Sequence, residues 1–546
     1  MMRPICSSAI AGDQRGRGAT WALVELFWIF LIFFLAGAAP PPGVGESHYL
    51  AKAKHYWNPT WCAGDLFLES ADAHLVFYWL FGWVTRFLPL PACAWLGRAI
   101  TWAGLAWSWR RLSVAVCPGP LWSLLSAGLM LLGLRYFSLA GEWIVGGVEA
   151  KCFSYPLIFL GVEALVKNRW RAALLFCGAA TALHVLAGGW SLVALALAWL
   201  FSGTHRPAPR TLWPAAVGAV LLALPGLLPA LWLNHGAAAE TVREGNVVYV
   251  FARLSHHLVF HQFPWPLMLR HAILLAVWVG LARSTGALVE QESGPRRLNL
   301  FVLGAVLIAL FGIGCDYLLL ARYFIFDEKA GEYQAQAAGW LRYYFFRTSD
   351  AWLPIGVALG VTRLCAARGP KANFLLIGCV LLAGANLAES CIARAQRRLP
   401  EAFLQPNPTA DSLQSQFADW RAVCDWIRHE TPPDAKFLTP YRQQTFKWYA
   451  QRAEVVSLKD IPQDAAGLVQ WHQTILAVFP PQHGGEDWSQ QDTAHLCELA
   501  RRYGAKYLVV DRRRTSRPIP LPRVYPLLRE ENQAYEVLLV PPHEKN

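Results

Sequence analysis

Asp65, Glu69 and Asp72 stand at i, i+4 and i+7 within a polar stretch running from His55 to His74. If the chain is helical after Gly64, the three carboxylates share one face while Leu66, Phe67 and Leu68 cover the others. Like charges at that spacing cost a few tenths of a kcal/mol per pair. Such a cluster sits in free solvent or is offset by a cation, a metal or a substrate. The plainer reading is one first-turn acid favoured by the helix dipole, with two solvated carboxylates beside it.

A second stretch carries Arg253, His256, His257 and His261. Arg253, His257 and His261 fall at i, i+4 and i+8, so a short helix would show them as one stripe of donors. A phosphate or pyrophosphate suits that stripe, because guanidinium offers a fork of donors and each imidazole adds another. Zinc is the rival reading, but HxxxH without the Glu of HExxH and without a third ligand is weak. Surface histidines near a headgroup layer are the plain alternative.

Three further positions have chemical capacity. Glu149 precedes Lys151 by two residues, for which an interfacial ion pair is the simple account. His184 lies in an apolar run beside Gly188 and Gly189. There it serves either a functional role or a hydrogen-bonded structural one. Arg347, with Arg342 and Asp350, follows Trp340, Tyr343, Tyr344, Phe345 and Phe346. That pattern suggests an interfacial helix whose arginines meet lipid phosphates.

The chain that must position these residues is built for a bilayer. Of its 546 residues 55% are hydrophobic and 16% charged, against roughly 25% charged in soluble domains. Its 26 Trp, 28 Phe and 17 Tyr suit membrane interfaces, where a ring with a polar edge is at home. Disorder, a collagen-like structure and a purely soluble enzyme are excluded. The net charge of +12 resides mostly in short loops between apolar runs, which is the positive-inside pattern and not a nucleic-acid footprint.

Taking about 20 apolar residues per span, the candidates are 20–38, 91–109, 119–137, 153–167, 171–187, 189–203, 211–233, 266–283, 299–320, 350–365 and 372–390. The N-terminal run follows Arg3, Arg15 and Arg17 and is longer than a signal-peptide core, so it reads as a retained span. With residues 1–19 cytoplasmic, every inner loop is basic: Arg110 and Arg111; Lys167, Arg169 and Arg171; Arg206 and Arg210; Arg283, Arg296 and Arg297; Arg363, Arg368 and Lys371. The membrane domain is then 20–390, with outer loops 39–90, 138–152, 234–265 and 321–349. The stretch 74–88, interrupted by Arg86 and Pro89, lies in the interface or dips partway in.

The tail, 391–546, changes character: charge returns throughout, and it reads as an extracytoplasmic α/β domain. Helices are expected over 419–429 and 492–503, and strands over 436–439, 454–458, 506–511 and 535–540. Strands separated by helices argue for a small, mainly parallel sheet, and the tail is expected to fold when expressed alone. Among the 12 Cys there is no CxxC pair, and Cys424 and Cys497 read as thiols buried separately.

This layout resembles the GT-C superfamily of membrane glycosyltransferases: a first span, a long outer loop with an acidic cluster, about eleven spans and an outer α/β tail. The stretch Trp426 to Pro440 is similar to the start of the tail domain in many bacterial members. Glu149 to Pro156 and Arg347 to Pro354 look like segments of poorly characterised GT-C-like proteins. The resemblance implies a multi-pass protein of the plasma (inner) membrane. It implies transfer of a sugar from a polyprenyl-phosphate donor, with membrane lipid as its surroundings, to an acceptor on the outer face. Asp65 matches the family's first-loop carboxylate and would be general base, or help hold a divalent cation such as Mg or Mn, with Glu69 beside it. Arg253, His256, His257 and His261 would take the donor phosphate, and Asp72, Glu149, His184 and Arg347 are secondary candidates. Many members carry adjacent or DxD-like acids, whereas here Glu69 follows Asp65 by four. The competing classes are an inactive GT-C-like scaffold that binds lipid or a partner, and a transporter or flippase.

Overall fold

The computed structural model describes residues 7–284, 293–325, 330–403 and 410–542. Arg3, part of the basic loop after Arg283 and part of outer loop 321–349 lie outside the described residues.

Each apolar run is helical. The set comprises Ser7–Gly37, Leu90–Val116, Trp122–Tyr136, Ala150–Val166, Trp170–Leu183, Val185–Phe201, Pro209–Trp232, Trp265–Ser284, Gly294–Ile325, Phe345–Arg368 and Asn373–Arg397. Among the described residues, five stretches are long and apolar enough to cross a membrane by length and composition: Thr20–Gly37, Pro209–Trp232, Trp265–Ser284, Gly294–Leu319 and Gly331–Gln396. The last covers more than one helix.

Two devices set the helix ends. Proline occupies the first turn of Leu90–Val116 and of Pro209–Trp232, where its missing N–H costs nothing. At His184 the backbone leaves helical geometry, and the imidazole Nδ1 accepts the Ala187 N–H at 3.1 Å, capping Val185–Phe201. His184 thus has a capping contact, and its ring also lines a cavity described below.

Small residues bring the helices together. A Cβ on Gly178 would lie 2.4 Å from the Ala219 carbonyl oxygen, and one on Gly226 would lie 2.1 Å from that of Ala182. Backbones approach this closely only where side chains are nearly absent. Between other helices Trp102, Trp109, Phe159, Phe301 and Trp352 fill the core.

Residues 75–86 form a short helix, Leu75–Leu80, and a 3-10 turn, Gly82–Arg86. Trp79, Leu80, Trp83 and Phe87 are exposed along it, as an interfacial element would be.

The tail carries a five-stranded sheet: β1 (Lys436–Leu438), β2 (Ala453–Glu454), β3 (Tyr507–Asp511), β4 (Arg523–Tyr525) and β5 (Tyr535–Leu539), in the order β2-β1-β3-β5-β4. Pairings β1–β2 and β1–β3 are parallel, whereas β3–β5 and β5–β4 are antiparallel. The expected mainly parallel sheet is thus mixed. The short link from β4 to β5 carries no crossover helix, and antiparallel pairing needs none. β4 was not expected because Pro518, Pro520, Pro522 and Pro526 surround it and read as loop. Helix Ala465–Val478, capped by Asp464 accepting from the Gly467 N–H, is a further addition. Cys424 and Cys497 are free and buried.

The tail does not keep a core to itself. Trp420, Ile427, Phe437 and Tyr535 belong to one buried cluster with Leu50, Phe77, Phe81 and Val148 of the outer loops. A second cluster joins Leu468, Trp471 and Ile475 to Val250, Leu258 and Leu341. The expectation of an independently folding tail conflicts with this sharing, because an isolated tail would expose one side of both clusters.

Candidate functional site

The first polar stretch folds as turns, not as a helix, so its three acids do not share a face. Asp65 is 1% exposed. Its Oδ1 accepts the Phe67 and Leu68 N–H groups at 3.1 and 3.0 Å. Its Oδ2 accepts the Glu454 N–H at 3.1 Å and lies 3.2 Å from Lys447 Nζ. Glu69 accepts the Gly64 N–H. Asp72 lies 3.6 Å from Lys52 Nζ, which also donates to the carbonyls of Phe67, Leu68 and Ser70. These acids tie the loop to itself and to the tail.

Lys447 is the hub of that tie. Its ammonium lies 2.5 Å from Glu454 Oε1 and 2.7 Å from Asp460 Oδ2 as well as 3.2 Å from Asp65. Burial pushes the Glu454 carboxyl up, to about 7, against the pull of Lys447. Burial also works against the charged form of Asp460, but Lys447 and His48 outweigh it and hold that carboxyl at about 2. His48 Nδ1 lies 3.1 Å from Asp460 Oδ1. The carboxylates fit poorly as a divalent-cation cage, since the ammonium already stands where they converge. Among the described residues no group of three His, Cys, Asp or Glu side chains is arranged to hold a metal ion.

The second stretch is likewise broken. It comprises a π-helical turn, Val248–Arg253, a short helix, Ser255–Leu258, and a 3-10 turn, Phe260–Gln262, so the stripe does not form. His261 pairs with Asp316 at 3.1 Å. Arg253 donates through Nε to the Leu458 carbonyl at 2.9 Å, which leaves the rest of its fork unassigned. His257 donates through Nδ1 to the Ala140 carbonyl at 2.6 Å. Gly141 next to it has φ of +75°, and a Cβ there would stand 3.2 Å from the His257 ring.

Arg253, His256 and His257 share their surroundings with two cations from elsewhere in the chain. Burial lowers Lys459, and Arg253 lowers it further, with Glu149 and Asp460 opposing. Burial, then Arg253, Lys459 and Arg347, lower His256. Burial, then Arg347 and His256, depress His257 to about 3. Arg253, His256, His257, Arg347 and Lys459 are thus within electrostatic reach of one another. Among the described residues the Lys459 ammonium forms no hydrogen bond or ion pair, and it is half-buried.

Two carboxylates lie near Arg347 and Lys151. Glu142, its side chain 2% exposed, accepts from the Tyr155 hydroxyl at 2.9 Å through Oε1 and lies 3.3 Å from both Lys151 Nζ and Arg347 Nε. Its Oε2 faces Arg347 without a hydrogen bond. Glu149 is freer: its side chain is 14% exposed, and its nearest cation is Lys151 Nζ at 3.7 Å. Glu142, Tyr155, His184, Tyr344 and Arg347 line a small cavity together. His184 stacks on His74 with ring centroids 5.9 Å apart, and burial depresses His74 to about 3.

Arg253, His256, His257, Arg347, Glu149 and His184 each lie within electrostatic reach of another of the set, whereas Asp65, Glu69, Asp72 and His261 make other contacts. Glu142 and Lys447 escaped sequence reasoning as isolated charges among apolar neighbours, and Lys459 with Asp460 as an ordinary adjacent pair of opposite charge. The one available signal was a lone carboxylate, Glu142, between Gly141 and Trp143 in an apolar loop.

Residues 418–478 match the model of a domain of unknown function (DUF6798). No curated protein matches the chain. Among solved structures, the chain is similar to the archaeal oligosaccharyltransferase AglB from Archaeoglobus fulgidus in complex with an inhibitory peptide and a dolichol-phosphate. The likeness covers 90% of this chain and 69% of that one, at 12% identity and a TM-score of 0.45. A crystal structure of the Archaeoglobus fulgidus oligosaccharyltransferase tethered to an acceptor peptide matches over the same shares at 12% identity and a TM-score of 0.44.

Proposed function

We propose that this protein is a membrane glycosyltransferase that moves a sugar from a polyprenyl-phosphate donor to an acceptor on the outer face. The observation that carries the reading is that Arg253, Arg347 and Lys459 lie within electrostatic reach of one another and of the lightly engaged carboxylate of Glu149. Three cations exceed what the bordering carboxylates neutralise locally, and a phosphate leaving group would supply the missing negative charge.

In this reading Glu149 takes the proton of the acceptor hydroxyl as its oxygen attacks the anomeric carbon. The bond from that carbon to the donor phosphate oxygen breaks, and polyprenyl phosphate leaves with the bonding pair. Lys459, Arg253 and Arg347 stabilise the charge that develops there. Asp65 orders the loop and does not touch substrate. No step is routed through a metal.

The test uses full-length protein in liposomes with a short-chain polyprenyl-phosphate hexose as donor and envelope extract as acceptor. Glu149→Gln is expected to cut polyprenyl phosphate release by about 10²–10⁴-fold while leaving polyprenyl phosphate binding near wild type. Lys459→Met and Arg253→Ala are expected to weaken that binding. Wild-type turnover in Glu149→Gln removes the base, and wild-type binding in both cation variants removes the phosphate site.

A further inference from the structure

A second polar cleft lies between the start of Leu90–Val116 and tail helix Ala410–Glu430. Its walls carry Lys54, Arg86, Arg421 and Arg428 against one carboxylate, Asp425. Asp425 pairs with Arg421 at 3.5 Å, and Arg421 lies 4.2 Å from the Tyr449 ring. Among the described residues, Lys54, Arg86 and Arg428 have no carboxylate partner. The Lys54 ammonium rests 4.8 Å over the Trp61 ring.

A second observation concerns hydrogen bonding. Trp448 lines the cleft and is 4% exposed, yet its indole N–H has no partner, nor does that of Trp61. A buried donor left unpaired is costly, so such groups ordinarily meet an acceptor. Three cations without a carboxylate partner, backed by two buried indole N–H groups, describe a site for an anionic group with several acceptor oxygens.

The rim says what that group is attached to. Phe87, 73% exposed, and Leu88 belong to the cleft wall, and Trp83, Trp95, Leu96 and Ile100 continue the exposed apolar surface onto Leu90–Val116. A ligand seated here has its phosphate among the cations and apolar chains over an aromatic, interface-like face. We infer that the cleft binds the headgroup of an anionic phospholipid and so fastens the tail helix to the membrane surface.

Native mass spectrometry of the full-length protein in neutral detergent, titrated with dioleoylphosphatidylglycerol, counts the bound lipid. Arg86→Gln with Arg428→Gln is expected to weaken binding by about tenfold or more. The exposed pair Arg243→Gln and Arg529→Gln removes equal charge elsewhere and is expected to have no effect. Trp448→Phe, which keeps the ring and deletes the donor, is expected to weaken binding several-fold. Equal losses in both arginine pairs, or equal binding of dioleoylphosphatidylcholine, would overturn the site. Displacement of the lipid by inorganic phosphate or by a soluble acidic peptide would assign the cleft to a soluble anion or a protein instead.

Discussion

Glu149 approaches the backbone of Gly45 so closely that a Cβ there would stand 1.7 Å from Glu149 Oε1. Gly45 has an ordinary negative φ, so space, and not backbone freedom, requires the glycine. Gly45→Ala must push the carboxylate out of its seat. A displacement near 1 Å costs about 10²-fold in rate when the displaced group takes part in the reaction. The expected outcome is a comparable loss of turnover with little change in Tm, measured in the liposome assay and by thermal unfolding in detergent.

Histidines give this chamber a direction of pH response. His74 and His257 are depressed to about 3 from an ordinary value of 6.5. The unfolded chain takes up protons near 6.5 while the folded chain does not. Their contribution to stability is therefore complete above 6.5 and is lost as pH falls from 6.5 towards 3, by at most ~1 kcal/mol per pH unit per ring, since both rings are partly exposed. Thermal midpoints should fall between about pH 7 and about pH 5, and His74→Phe should flatten that fall.

Among the elements, the first outer loop and the strand-and-turn segment 447–460 are the pair whose docking decides the site. Lys447 binds carboxylates from both. Lys447→Met leaves three acids converging without a cation and should cost about 3–5 kcal/mol. Asp65→Asn keeps acceptors for some of the backbone N–H groups and should cost about 1–3 kcal/mol. In Asp65→Asn, turnover per folded molecule should stay near wild type, measured by activity normalised to the fraction that resists proteolysis. Complete loss of turnover in well-folded Asp65→Asn would return the base role to Asp65.

Helices were legible in the sequence at this scale because apolar length alone specifies them, and strands 436–438 and 507–511 because apolar runs there end at turn residues. The carboxylates were legible as residues but not as neighbours. A helix after Gly64, the condition for the shared acidic face, gives way to turns with Cys62 at φ of +56° and Gly64 at +84°. Which acid remains free depends on Lys447 and Lys52, cations that only the folded chain brings near.

For the whole molecule, the proposed orientation puts the basic loops on one side and the outer loops with the tail on the other. Cysteine introduced at Ala367 should be protected from impermeant thiol reagent in intact cells, while cysteines at Glu240 and Glu530 react. All three positions are exposed, so protection reports sidedness and not burial. Labelling at 367 without labelling at 240 and 530 would invert the topology.

Lys459 lies in the tail, beyond the last apolar helix, whereas Glu149 and Arg347 arise much earlier in the chain. During synthesis the membrane helices, with Lys151 beside Glu149, emerge before Lys459. A nascent or truncated chain holds a carboxylate and two arginines around an incomplete seat. On the proposed reading, the seat for a lipid-linked phosphate is completed only when the tail docks against the membrane helices.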